Sequence, residues 1–163
     1  MDYLIEAAGA QFRPALFLAL KVFLEFDAPL CGPGAPDSFT AYINEKLNAP
    51  EMYSSGFTLL TAKRGEELVG VIETRTVLYD DRPAAGHISM LFVDGAHQRR
   101  GVGRALTDAA VRLFRERGIR EITVNSSKFG QPFYEKYGFV PTDVEQEKDG
   151  FVFTPMRYVI CAI

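Results

Sequence analysis

Between Gly103 and Arg117 the apolar residues Leu106, Ala109, Ala110, Leu113 and Phe114 recur at the spacing of one helical face, and Arg112, Arg115, Glu116 and Arg117 cover the other. Gly118 stands where such a helix commonly ends. Before this helix the pattern differs. His87 to Val93 carries Ile88, Met90, Leu91, Phe92 and Val93, apolar on both alternating faces, which predicts a central strand buried on two sides. After it, Ile119 to Val124 predicts a further strand and Gln131 to Tyr137 a short helix ended by Gly138. A last hairpin is expected to turn at Asp149-Gly150, between strands near Val140 and at Phe151 to Ile160.

The first half reads as strand, two helices and a hairpin. Tyr3 to Ala7 can open a sheet, and Pro14 suits the first turn of a helix whose apolar body runs from Ala15 to about Phe26. Asp27 to Asp37 holds Pro29, Gly32, Pro33, Gly34 and Pro36, a loop composition, before Asp37 or Ser38 caps a second helix through Leu47. Phe57 to Ala62 and Leu68 to Thr76 are strands joined by the charged connection 63–67, and 80–86 is expected to be the turn before the central strand. Strands in front, a strand-helix-strand unit in the middle and a closing hairpin describe one domain, residues 1–163, built as a mixed sheet covered by helices.

Composition narrows the class. A chain of 163 residues can bury roughly 70% of its unfolded surface, and 47% hydrophobic with 24% charged residues is the balance of a globular domain. A net charge of -3 offers no field for a nucleic acid backbone, so neither nucleic acid nor membrane is expected as a partner. Lys128 and Lys136 lie among Phe129, Phe133, Tyr134 and Tyr137, but a short helix explains those aromatics as core. Cys31 and Cys161 show neither a disulfide framework nor metal-ligand spacing; two free, mostly buried thiols and no metal are expected. The start at Met1-Asp2-Tyr3 has no basic region before an apolar one, and the apolar stretch from Ala15 to Phe23 is too short to span a bilayer, so a cytoplasmic location is expected.

The most informative stretch joins the central strand to the amphipathic helix: Val93-Asp94-Gly95-Ala96-His97-Gln98-Arg99-Arg100-Gly101-Val102-Gly103-Arg104. A helix start exposes unpaired N–H groups and roughly half a positive charge, and glycine lets the backbone approach an anion without a Cβ between them. Arg99, Arg100 and Arg104 add positive charge locally. A mononucleotide P-loop would need Lys-Ser/Thr after Gly103, and a dinucleotide loop would need a small residue at Leu106, so both fit poorly. Taken alone, the glycines could equally serve a tight strand-to-helix turn.

Gln98, Gly101 and Gly103 match the pattern Gln/Arg-x-x-Gly-x-Gly/Ala, and Asn125 followed by Phe133-Tyr134-Glu135-Lys136-Tyr137-Gly138-Phe139 matches an Asn-bearing strand end followed by Phe-Tyr-x-Lys-x-Gly-Phe. In these two motifs, in this order, the chain resembles the GNAT superfamily of acyl-CoA-dependent N-acetyltransferases. Gly95 stands where that family often has proline. The resemblance implies an α/β fold in the mixed α+β sense: a central mixed, mostly antiparallel sheet with splayed middle strands, flanked by about four helices. It further implies that acetyl-CoA is the cofactor and CoA the product. The backbone of Leu91, Phe92 and Val93 would pair with the pantetheine arm, and Gln98, Arg99, Arg100, Gly101, Val102, Gly103 and Arg104 would hold the pyrophosphate. Asn125 and Phe133 would line the arm, and Lys136 would reach a phosphate.

The implied reaction moves the acetyl group to a primary amine of a small molecule or peptide by direct attack in a ternary complex. The resemblance gives Tyr134 the role of proton donor to the departing sulfur. A backbone N–H near Leu91 or Phe92 would polarise the carbonyl, which requires a local distortion of that strand. For the base, Glu73 and His87 are both candidates, directly or through water. An acyl-CoA-binding sensor with little catalysis, or a transferase with a non-amine acceptor, shares the same motifs. The acceptor would be shaped by the loops 25–40, 53–56, 79–83 and 145–153, whose Phe26, Asp27, Phe39, Tyr79 and Asp80 would suit a cationic amine. The resemblance also makes a homodimer plausible, with the apolar ending Tyr158 to Ile163 as its contact or as sheet core.

Overall fold

The computed structural model describes residues 2–161. Eight strands form one sheet: β1 (Leu4–Ala7), β2 (Phe57–Arg64), β3 (Glu67–Tyr79), β4 (Arg82–Val93), β5 (Glu121–Ser127), β6 (Val140–Pro141), β7 (Gln146–Lys148) and β8 (Phe151–Val159). The strand order is β1-β2-β3-β4-β5-β8-β6, with β7 also pairing with β8. Every pairing is antiparallel except the parallel one between β4 and β5. Four α-helices cover the two faces: α1 (Phe12–Val22), α2 (Ala35–Asn48), α3 (Val102–Glu116) and α4 (Gln131–Tyr137).

Each face of the sheet has its own core. α3 lays Val102, Leu106, Ala110 and Phe114 against Ile72, Ile88, Ile122 and Val124, and Tyr134 of α4 and Phe139 join them. Each fully buried leucine or phenylalanine contributes roughly 1.5–3 kcal/mol there. On the opposite face, Ala15, Leu16, Ala19 and Val22 of α1 and Phe39 and Ile43 of α2 pack on Leu59, Val71, Met90 and Phe92. The stacked rings of Phe23 and Phe39, 4.2 Å apart, tie the two helices together.

The pairing of β3 with β4 explains how β4 serves both cores. Glu73 faces Met90 and Thr74 faces Ile88, so Ser89 is an extra, bulged residue. In a regular strand Ile88 and Met90 would share a face. The bulge sends Ile88 toward α3 and Met90 toward α1 and α2. β4 then pairs with β5 only from Gly86 to Ile88, against Ile122 to Val124, although both strands continue. From Ser89 onward they diverge and a cleft opens between them.

Several boundaries move from the sequence reading. The helix expected to run from Ala15 to Phe26 is α-helical from Phe12 to Val22 and continues as a π-helical turn over Phe23–Asp27, which turns both Phe23 and Asp27 inward. α2 begins at Ala35 with Pro36 in its first turn; Asp37 and Ser38 lie inside it, and the Ser38 hydroxyl donates to the Asp149 carbonyl at 2.7 Å. The turn expected over 80–86 shrinks to Asp80 and Asp81, both with positive φ (50° and 59°), and β3 and β4 run up to it. Asp149-Gly150 does form the hairpin turn, but between β7 and β8; β6 pairs separately with Met156 and Arg157. Cys161 is exposed and Cys31 half-buried, so the two thiols are free but less buried than expected. Of the apolar ending, Ile160 is in the core, and Ala162 and Ile163 lie outside the described residues, as does Met1. Among the described residues no helix is long and apolar enough to cross a membrane.

Candidate active site

The divergence of β4 and β5 opens a cleft of about 1180 Å³ that runs from the start of α3, past α4, to the underside of α2. At the α3 end, Gly101 has φ +87°, a left-handed conformation that glycine adopts without a Cβ penalty, and it precedes the first helical residue, Val102. The first intrahelical bond there runs from the Ala105 N–H to the Gly101 carbonyl. The N–H groups of Val102, Gly103 and Arg104 therefore belong to the unpaired first turn. A Cβ on Gly103 would stand 3.2 Å from the Phe133 ring, so this glycine lets α3 approach α4. Arg99 also has positive φ (61°), and Arg99, Arg100 and Arg104 are exposed around the turn, with the Arg104 guanidinium 5.1 Å above the Tyr137 ring.

The expected cofactor residues divide by what they offer this cradle. Val102 is 1% exposed and anchors the core, so it presents only its backbone. The Gln98 side chain donates to the Val93 carbonyl at 3.1 Å and braces the loop against the end of β4. Leu91, Phe92 and Val93 lie on the stretch of β4 past its last pairing with β5, and the Phe92 side chain packs into the opposite core. Asn125, Phe133 and Lys136 all line the cleft. An anion-accepting helix start, a glycine turn open to it and an unpaired strand edge beside it fit a phosphorylated ligand with an extended amide-bearing arm.

Midway, Tyr134 lines the cleft with its ring in the core, and its hydroxyl hydrogen-bonds to no described residue. No buried polar side-chain atom among the described residues lacks a partner, so this hydroxyl opens onto the cleft. Burial raises its pKa, and the nearby Asp27 carboxylate raises it further, so it keeps its proton. Asp27, 8% exposed in the π-helical turn, was read from the sequence as a loop residue. Burial pushes its pKa up to about 6, against a lowering by the Ser127 hydroxyl.

Because the folded state raises this pKa, Asp27 stabilises the fold at low pH, and that contribution is lost as pH rises from about 4 through about 6. His87, whose pKa is depressed, acts in the opposite sense over the same window, so a comparison of variants isolates Asp27. The melting temperature of Asp27→Asn minus that of the wild type should rise by roughly 5–10 °C between pH 4 and pH 8, from about 3 kcal/mol of buried-charge cost. Parallel melting curves across that range would place the Asp27 carboxylate in a water-like environment.

The far end holds the two candidate bases in different settings. Glu73 is 0% exposed, with Tyr42 donating to Oε1, Tyr53 donating to Oε2 at 2.6 Å and Lys46 Nζ 3.9 Å from Oε1. It does not line the cleft; Tyr42 and Lys46 stand in front of it. His87 does line the cleft. Its Nδ1 is 2.8 Å from Thr123 Oγ1, and that hydroxyl donates to the Gly86 carbonyl at 3.4 Å. The 2.8 Å contact holds the ring in place, and the imidazole tautomer sets which of the two atoms donates. Burial, with a smaller effect of Arg75, pushes the His87 pKa down to about 4, so the ring is neutral at physiological pH.

Sequence reasoning missed Tyr42, Lys46 and Arg75, which come from α2 and β3, segments without a motif; Tyr53 begins the stretch 53–56 that was expected to shape the acceptor site. Among the residues proposed to recognise an acceptor, Asp27 and Phe39 line the cleft, Phe39 with its ring in the core, while Phe26 stacks on Phe129 at 5.0 Å and Tyr79 and Asp80 sit at the exposed hairpin tip outside the cleft.

Comparison with known proteins agrees with this geometry. The acetyltransferase (GNAT) domain model matches residues 27–160. The chain is 38% identical over 56 residues to glucosamine 6-phosphate N-acetyltransferase of Trypanosoma brucei brucei, covering 34% of this chain and 38% of that protein. It is 28% identical over 137 residues to human N-acetyltransferase 8, covering 79% of this chain and 55% of that protein. The matched segments span 23% to 55% of the length of the curated relatives. In fold, it is similar to the PaiA N-acetyltransferase of Thermoplasma acidophilum in complex with coenzyme A, with a TM-score of 0.73 at 19% identity over 98% of this chain and 99% of that one. An aminoglycoside 6'-acetyltransferase type Ii has a TM-score of 0.70 at 17% identity, over 98% of this chain and 99% of that one. With the splayed sheet, the glycine turn at the start of α3 and a family match over most of its length, the chain belongs to the GNAT acetyltransferase family.

Proposed function

We propose that this protein transfers an acetyl group from acetyl-CoA to a primary amine of a small molecule or peptide, by direct attack with both substrates bound. The observation that carries this reading is one continuous cleft with an anion-accepting helix start at one end and a proton-bearing Tyr134 hydroxyl midway. When bound, acetyl-CoA supplies a thioester whose carbonyl carbon is open to an amine. The N–H groups at the start of α3 receive the pyrophosphate, with Arg99, Arg100 and Arg104 around it. The open edge of β4 past Ile88 takes the pantetheine arm, between Asn125 and Phe133 on the other wall, and Lys136 serves the phosphates.

Three groups of this chain serve the chemistry. The bulge at Ser89 turns the following backbone out of regular register, the distortion needed for an N–H to meet a carbonyl oxygen. Tyr134 holds a proton at the hydroxyl facing the cleft, where a leaving sulfur takes it. His87, neutral, accepts the amine proton directly or through water, at Nε2 in the tautomer whose Nδ1–H donates to Thr123 Oγ1. Glu73 orients Tyr42, Tyr53 and Lys46 behind the acceptor space.

Calorimetric titration with acetyl-CoA, CoA and ATP tests the reading. Binding of both CoA species and none of ATP is the expected result. No binding of either CoA species would return Gly101 and Gly103 to the role of a tight strand-to-helix turn.

A further inference from the structure

The α2 end of the cleft contains a cation without a partner among the described residues. Arg75 lies on β3 opposite Phe57 of β2 and His87 of β4, half-buried, and lines the cleft. Among the described residues it makes no ion pair within 4.0 Å and no side-chain hydrogen bond. The acid nearest along its strand is already engaged: both Glu73 oxygens accept from tyrosines, and Lys46 lies 3.9 Å away. Lys46 is itself enclosed, 2% exposed, with its ammonium 3.5 Å above the Phe57 ring. Glu45, the other acid from α2 that lines this end, is exposed to solvent.

We propose that the acceptor is an amine that also carries an anion, a carboxylate or a phosphate, and that Arg75 binds that anion beside His87. This rests on the acetyl-transfer reading of the same cleft. A half-buried guanidinium that no protein group satisfies retains its fork of donors for a ligand, and planar carboxylate and phosphate oxygens match that fork. Burial depresses the pKa values of Lys46 and His87, and Arg75 lowers both a little further, while Glu73 and Glu45 act on Lys46 in the opposite sense; an arriving anion offsets the Arg75 contribution. A purely cationic acceptor would meet the unpaired Arg75 charge at this end, where the lining acid, Glu45, is exposed to solvent and Asp80 and Asp81 are at the hairpin tip, away from the cleft. The placement next to His87 sets the amine of such an acceptor near the group that takes its proton.

Thiol release from acetyl-CoA should be measured with paired probes: free L-amino acids against the corresponding decarboxylated amines, such as L-tyrosine against tyramine, and O-phosphorylethanolamine against ethanolamine. The acid-bearing member of at least one pair should show kcat/KM about 10- to 100-fold above its counterpart, the worth of one or two charge-assisted bonds. Which pair responds separates a carboxylate from a phosphate. In Arg75→Gln that ratio should fall toward one, and in Arg75→Lys, which keeps the charge and loses the fork, it should be intermediate; thermal melting of each variant checks its fold. Equal or better turnover of the amines that lack the acid group, an unchanged ratio in Arg75→Gln, or no turnover of any acid-bearing amine by protein that binds acetyl-CoA would overturn the proposal. Failure to bind acetyl-CoA would instead overturn the reading of the cleft on which it rests.

Discussion

Replacing Gly101 and Gly103 together by valine is expected to weaken acetyl-CoA binding by about 100-fold or more while leaving the sheet and helices formed. The two positions act differently. Gly101 sits at φ +87°, where a β-branched residue is a steric outlier, so valine there pulls the turn out of shape and re-aims the N–H groups that follow. At Gly103 a Cβ would stand 3.2 Å from the Phe133 ring, and the two further methyls of valine have only that ring or the ligand space to occupy. Losing two charge-assisted bonds to phosphate at about 1.5–3 kcal/mol each gives a weakening of this size. The measurement is isothermal titration, with circular dichroism and a melting curve to show that α3 persists. Affinity within a few-fold of the wild type would mean that the start of α3 does not hold the pyrophosphate.

Tyr134→Phe is expected to lower kcat by about 10²–10⁴-fold with acetyl-CoA affinity nearly unchanged, the range for removing a positioned general acid. The separation of the two effects follows from the geometry. The ring of Tyr134 packs against Phe133 and Phe139, at centroid distances of 5.3 and 5.1 Å, and phenylalanine keeps those contacts. Only the hydroxyl is lost, and it supports no described residue, so its removal leaves no buried group unpaired. Because burial and Asp27 both raise its pKa, the hydroxyl is protonated throughout the neutral range, and its contribution should not titrate away on the alkaline side below pH 9 or so. Single-turnover measurement of thiol release in wild type and variant reads the effect; an unchanged rate would leave Tyr134 as a packing residue.

The glycine turn at the start of α3 was legible because its requirements are local. A helix start that takes an anion needs glycine at fixed offsets within a few residues, so Gly101 and Gly103 leave a signature in a short window. The short helix that carries Tyr134 was legible for a similar reason, being a compact segment between Asn125 and Phe139. The acceptor end was legible only in part: His87 stands among the candidate bases and 53–56 among the acceptor loops, but Tyr42, Lys46 and Arg75 come from α2 and β3, and each is an ordinary residue in its own segment. Asp27 is the sharpest case: its neighbours Pro29, Gly32 and Pro33 announce a loop, whereas a π-helical turn carries it into the interior beside Tyr134. Nothing local distinguishes that turn from the end of an α-helix.

By itself the sequence determined the order and type of most elements, the two-sided burial of β4, the helix of α3 and the glycine cradle at its start. These follow from periodicity and from backbone conformations open mainly to glycine, both properties of neighbouring residues. Only the tertiary structure decided that Ser89 bulges, that β4 parts from β5 after Ile88, that Glu73 is enclosed by two tyrosines and a lysine, and that Arg75 is left without a partner among the described residues. Whether a charge is satisfied, and where a strand must yield, depend on groups far apart in the chain that meet once both cores have packed against the sheet.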